Sequence, residues 1–161
     1  MSKLEAFMRP IIWRAILGGF VGTLAITMMM YWVGPMMGMM KMDIAASLGT
    51  MLSGSWTLGM MIHFVNGTII FPLIYAYLLF RVLPGGATLK GVEWGLILWF
   101  LAQVIVMPMM GGGFFSANIG GMMAAGGSLI GHAIYGGLLG WIGGSAESHA
   151  EATQRPGARA V

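Results

Sequence analysis

Two histidines, His63 and His132, stand inside otherwise apolar stretches, and their surroundings match. His63-x-x-Asn66-Gly67 in the first half corresponds to His132-x-x-Tyr135-Gly136 in the second, an offset of 69 positions (132 − 63). An ionisable ring is costly to bury in a hydrophobic segment, so each is a functional candidate by default. Several chemistries suit the pair. Each imidazole can hydrogen-bond across a helix bundle, to Asn66, Tyr135, Gln103 or a carbonyl freed by proline, and so hold helices together. The pair can instead supply both axial ligands of a haem b, with Asn66 and Tyr135 beside them and glycines making room. In that case Lys41 is the one cation on the same side to meet the propionates. Or the histidines join thioethers from Met36, Met37, Met109 or Met110 in a copper site, because soft sulfur ligands suit Cu(I). Quinone or lipid binding is a further use of such a pocket.

Other chemistry is thinly represented. Cysteine is absent, which excludes disulfides, thiolate metal sites and cysteine nucleophiles. The chain has no Ser-His-Asp arrangement, phosphate loop or paired-carboxylate signature, and nothing in it points to catalysis by this chain alone. The 18 methionines read mainly as packing, since unbranched thioethers fill irregular gaps. The segment MMGMMKMD is the more suggestive run, lying near an acid. Glu93 stands within a turn of Lys90 and reads as a solvated carboxylate at a membrane boundary. Asn66-Gly67-Thr68 matches a glycosylation sequon, but inside a hydrophobic span it is out of the transferase's reach.

The elements that carry these residues follow from composition. Of 161 residues, 58% are hydrophobic and 8% charged, too few polar groups to cover a water-soluble surface. The formal charge of +3 forms no basic stripe and gives no argument for nucleic acid. A membrane protein is the class that remains.

An internal duplication organises it. Gly18, Gly22, Pro35, Met36, Met37 and Gly38 recur as Gly91, Gly95, Pro108, Met109, Met110 and Gly111, each pair 73 positions apart (91 − 18). Apolar runs of spanning length separate the glycines from Pro-Met-Met-Gly. The fold expected is all-α, with four transmembrane helices arranged as two parallel-repeat hairpins and short interfacial helices in the outward loops. The spans fall at about residues 14–33, 56–80, 89–107 and 128–143. Repeat one covers about 11–83 and repeat two about 88–144, a single domain over 1–144 followed by a polar tail, 145–161, that reads as disordered. Gly18, Gly22, Gly91 and Gly95, with Gly67 and Gly136, are the expected points of close helix packing. Proline should end the first span at Gly34-Pro35, and Pro72 should free the Thr68 carbonyl and kink the second. Asp43 should cap a short helix carrying Ile44, Leu48, Met51 and Leu52, and Ser55 should cap the second span. Asn118-Ile119 occupies the place in the second loop that Asp43-Ile44 occupies in the first.

The N-terminal segment, cationic and then apolar, lacks a small-x-small cleavage pattern and reads as a retained anchor. Lys3, Arg9, Arg14, Arg81 and Lys90 place both termini and the middle loop in the cytoplasm by the positive-inside bias, for a multi-pass protein of a bacterial cytoplasmic membrane.

In GFVGTLAITMMMYWVGPMMG, in MDIAASLG followed by GSWTLGMMIHFVNGTIIFPLIYAYLLFRVLP, and in SLIGHAIYGGLLG, the chain resembles a family of small bacterial inner-membrane proteins with four spans and no assigned activity. The resemblance extends to about Gly144 and implies fold and location only. The expected function is an accessory or binding subunit, attached to an electron-transfer complex, with the lipid bilayer and other membrane subunits or further copies of itself as partners. The contrasting expectation is a stand-alone transporter or copper-handling protein using outward Met and His.

Overall fold

The structure, a computed structural model, describes residues 12–39, 41–52 and 54–144. In chain order it contains α1 (Ile12–Met36), the short α2 (Ile44–Thr50), α3 (Trp56–Leu79), α4 (Ala87–Met109), a single 3₁₀ turn (Phe114–Ser116) and α5 (Gly121–Gly143). Four of these helices are long and apolar enough to cross a membrane. The protein is an all-α membrane protein. Large apolar side chains stay outside the bundle, among them Trp13, Phe20, Leu78 and Phe100, as a lipid-facing surface requires. The tail from residue 145 and the cationic Lys3 and Arg9 lie outside the described residues.

The spans alternate in direction, so one end of the bundle carries Pro35, α2 and Pro108, and the other carries the loop around Pro84. At the Pro35 end the local signals act as the sequence suggests. Asp43 accepts from the Ala46 amide at 2.9 Å and starts α2, and Ser55 accepts from the Leu58 amide at 3.3 Å and starts α3. The second loop differs from the first. Asn118 donates its side-chain amide to the Gly111 carbonyl at 3.0 Å instead of capping a helix, so that loop holds a turn where an interfacial helix was expected. The fourth span also begins at Gly121, seven residues before Ser128 (128 − 121).

Proline does not end the first and third spans. Proline has no amide hydrogen, and its ring clashes with the carbonyl four residues back. A wide, π-type turn ahead of each intramembrane proline accommodates the ring, over Met29–Val33, Asn66–Ile70 and Ala102–Val106. In each, the residue before proline reaches back five positions: Gly34 to Met29, Phe71 to Asn66, Met107 to Ala102. The first and third of these turns lie 73 positions apart (102 − 29), so the duplication persists in backbone geometry. The helices end beyond the prolines, where Gly38 and Gly111 take φ of 79° and 80°, a left-handed conformation that glycine adopts without strain.

Packing is centred on α5. On one side Gly18 and Gly22 of α1 let the backbone of α5 approach, and a Cβ at Gly22 would lie 2.8 Å from the Tyr135 ring and 2.9 Å from its carbonyl. On the other side a Cβ at Gly91 would strike the Gly136 carbonyl, and one at Gly95 the His132 carbonyl. Gly67 of α3 faces Thr23 of α1, which leaves no room for a side chain there. Close backbone approach of this kind supplies the van der Waals contact that holds helices together in lipid.

The bundle departs from two-fold symmetry at one seam. Within each repeat the two spans pack, α1 on α3 and α4 on α5, and between repeats α1 packs on α5. Gly131 and Gly143 of α5 contact Ile26 and Ala15 of α1, but the α3 positions matching them, 69 earlier, are Ile62 and Ile74. At these positions α3 has no glycine to admit a neighbouring backbone as α5 admits α1. Side chains bridge the α3–α4 seam instead: Tyr75 donates to the Ala87 carbonyl at 2.7 Å, Lys90 to the Phe80 carbonyl at 2.6 Å and Trp94 to the Phe71 carbonyl at 3.2 Å. All three lie on the Pro84 side of the histidines.

Lys90 and Glu93 differ from the expected solvated pair. Lys90 is buried, with its ammonium 4.6 Å from the centre of the Phe80 ring as well as on the Phe80 carbonyl. One oxygen of Glu93 is buried without a hydrogen-bond partner.

Candidate ligand-binding cavity

Toward the Pro35 end, where the α3–α4 seam is open, the bundle encloses a cavity of about 340 Å³. Its walls are largely apolar, with Ile26 and Met30 from α1, Leu98 and Val106 from α4, and Ile44 and Leu48 of α2 across the top. Its polar lining comes from Thr23, His63, Asn66, Gln103, Ser128, His132 and Tyr135, and contains no carboxylate, lysine or arginine. The duplication thus brings His63 and His132, with Asn66 and Tyr135, to one space.

Hydrogen bonds orient both rings. The Thr27 hydroxyl lies 2.6 Å from the Thr23 carbonyl, and a carbonyl only accepts, so the hydroxyl proton points there. His63 Nε2, 3.0 Å from the same hydroxyl oxygen, must then carry a proton and donate it. In the neutral ring the lone pair is left on Nδ1. His132 shows the opposite tautomer: Nδ1 lies 2.8 Å from the Ser128 carbonyl, which requires a proton on Nδ1 and leaves the lone pair on Nε2. Neither free nitrogen bonds to a described residue, and both rings line the cavity. The Asn66 amide likewise bonds to no described residue, and Asn66 lines the cavity.

The wide turns contribute as well. The Phe71 amide bonds to Asn66, and Pro72 has no amide hydrogen, so the Gly67 carbonyl has lost its donors at both i+4 and i+5. The Tyr135 hydroxyl donates to it at 2.7 Å, locking α5 to α3 beside the histidines. Met30 before Pro35 and Gln103 before Pro108 stand in the same register, and both line the cavity. Gln103 is fully enclosed and accepts from Ser116 at 2.8 Å, tying the cavity wall to the second loop.

Above the cavity, α2 is held by Asp43, which accepts from the Tyr31 hydroxyl of α1 and from the Trp56 indole of α3 at 3.1 Å. Partial burial pushes this carboxyl up. Hydrogen bonds from Tyr31, the Ala46 amide and Trp56, with the charge of Lys41, outweigh that effect and hold it below the ordinary 3.8.

The methionines expected to join the histidines do not. Met36, Met37 and Met109 are 86, 75 and 64% exposed at the helix exits, and Met110 also lies outside the cavity lining. The thioethers that do line it belong to Met30, Met42 and Met107. Among the described residues no three His, Asp or Glu gather to hold a metal ion. Met30 falls on one helical face with Thr23 and Ile26, spaced i, i+3 and i+7, and that period could have found it. Thr27, four residues beyond Thr23, carried the same signal.

The sequence profile of a family of unknown function, DUF6789, matches residues 9–154. The chain belongs to that family. No curated protein and no solved structure is similar enough to match. Family membership therefore leaves the cavity to be interpreted from its own chemistry.

Haem b does not fit this site. The lining offers no cation for two propionates, axial ligation through His63 Nε2 would break its bond to Thr27, and the volume is near the lower end of the roughly 300–1,000 Å³ common for small-molecule sites.

Proposed function

We propose that this protein is an integral binding subunit of a bacterial cytoplasmic membrane, and that its function resides in the His63–His132 cavity, which takes a small uncharged molecule from the bilayer. The observation that carries the reading is a mainly apolar cavity into which a few neutral polar groups converge from α3, α4 and α5. A charged ligand would meet no compensating charge there, inside a low-dielectric slab. The open seam between α3 and α4 provides an approach from the lipid. Association with an electron-transfer complex rests on the same site, since bilayer-soluble redox carriers of ring size are one class it admits. The orientation proposed has both termini in the cytoplasm, supported by Arg14, Arg81 and the other cations at the Pro84 end against Lys41 at the Pro35 end.

The test is extraction of gently solubilised protein followed by mass spectrometry of small molecules. One organic molecule per chain is expected from the wild type, and none from Ala102→Phe, which fills the cavity from α4. If the wild type yields nothing and Ala102→Phe only raises thermal stability, the cavity is a packing void and the proposal fails.

A further inference from the structure

The geometry points to a ligand that brings hydrogen-bond donors of its own: a ring-sized dihydroxy compound of the hydroquinone type, held between His63 Nδ1 and His132 Nε2. This inference rests on the binding reading above and specifies its ligand.

The argument starts from the tautomers. Thr27 takes the proton of His63 Nε2, and the Ser128 carbonyl takes that of His132 Nδ1. The protein thereby fixes two lone pairs on rings from different helices, α3 and α5, that line one cavity. An occupant that covers these acceptors without supplying donors leaves them buried and unpaired, which is costly, so one that brings two hydroxyls is favoured over one that brings none. A quinone ring presents only acceptors and would set its carbonyls against these lone pairs. Its reduced form presents two hydroxyls. Asn66, which can donate or accept, suits either form and so does not discriminate.

A soft monovalent cation could also use imidazole lone pairs, with thioethers from Met30, Met42 or Met107. Two observations favour the organic ligand. A metal ion needs no space of about 340 Å³, and no carboxylate lines the cavity to offset a positive charge within the membrane.

The experiment measures binding of three probes of nearly equal shape to the full chain in lipid nanodiscs, anaerobically, with empty nanodiscs correcting for partition. The probes are tetramethylhydroquinone, tetramethylbenzoquinone and the dimethyl ether of the hydroquinone. The hydroquinone should bind about tenfold or more tighter than the other two, the effect expected of donors reaching acceptors otherwise unpaired. His63→Phe and His132→Phe, which keep a ring and remove the lone pair, should each erase most of that preference. The ether comparison uses unaltered protein and so stands even where a variant fails to fold. Equal binding of all three probes would overturn this inference and leave the binding subunit intact, as would failure of all three alongside a different molecule in the extract. An empty extract together with no probe binding would overturn both. Silver ion bound one per chain and lost in the histidine variants, with no hydroquinone preference, would replace the ligand by a soft cation.

Discussion

Replacing Asp43 by alanine should loosen α2 from the top of the cavity without unfolding the bundle. The carboxylate accepts three bonds, from the Tyr31 hydroxyl, the Trp56 indole at 3.1 Å and the Ala46 amide at 2.9 Å, and so joins α1, α2 and α3 at one point. Bonds to a charged group contribute about 1.5–3 kcal/mol each when enclosed. Asp43 is partly open to solvent, which reduces such values toward those of surface pairs, so together the three stabilise docking by on the order of 2 kcal/mol. That is a factor of about 30 in the docked equilibrium. Amide hydrogen exchange across Ile44–Thr50 should accelerate by that factor in Asp43→Ala, while exchange in α5 stays as it was. Asp43→Asn, which keeps the acceptor and loses the charge, should fall between the two.

The same contact fixes the sign of a pH effect. The folded-state carboxyl lies below its ordinary value of 3.8, so the stabilisation is complete well above 3.8 and is lost as pH falls through 3.8 toward the lower docked value. Protection of α2, corrected for the intrinsic exchange rate, should decline over that window in the wild type and not in Asp43→Asn. Unchanged protection in Asp43→Ala would show that Ile44 and Leu48 hold α2 by apolar packing alone, and the reasoning would be refuted.

Three further outcomes are expected. Gly95→Ala should destabilise the bundle in detergent by roughly 1–3 kcal/mol, because its Cβ would lie well inside contact distance of the His132 carbonyl, and Gly22→Ala by less, because its nearest backbone atom, the Tyr135 carbonyl, is 2.9 Å away; Gly126→Ala, with nothing within 4 Å, is the neutral control in the thermal melt. Tyr135→Phe should cost about 1–3 kcal/mol by leaving the Gly67 carbonyl without a donor, measured against a Tyr77→Phe control at an exposed site. Glu93→Gln should leave stability unchanged or slightly higher, since it removes a carboxylate with an unpartnered buried oxygen; a loss above about 1 kcal/mol would mean that Lys90 and Glu93 pair in the bilayer.

The spans were legible in the sequence because length and hydropathy decide them before packing does, and the caps at Asp43 and Ser55 because a side chain three residues from an amide needs no tertiary help. The prolines misled for a physical reason. In water a proline commonly ends a helix, but in lipid the chain has no water to satisfy a broken end, and a π-type turn keeps every other bond of the ladder. The start of α5 was missed because GGMMAAGG reads as a loop by its glycines, although one of them, Gly127, leaves room for the Met39 side chain to pack against a helix there. The copper grouping weighed the repetition of Pro-Met-Met-Gly, whereas the thioethers that line the cavity are those of Met30, Met42 and Met107.

Duplication explains why a site exists and symmetry alone does not explain where. Two identical hairpins would pack at both inter-repeat seams equally and leave no room. Here the glycines at 131 and 143 meet α1 at one seam, while the matching positions of α3 carry Ile62 and Ile74 instead of glycine. The His-x-x-x-Gly that the repeats retain then opens onto a space only one seam provides. Its flanking residues have diverged: Tyr135 donates its hydroxyl to the Gly67 carbonyl, whereas the Asn66 side chain bonds to no described residue and lines the cavity. The same divergence separates the tautomers, since Thr27 across from His63 and the Ser128 carbonyl beneath His132 fix protons on opposite nitrogens. If missing glycines keep α3 from α4, Ile62→Gly with Ile74→Gly should shrink the cavity and lower the yield of any extracted molecule while both histidines remain.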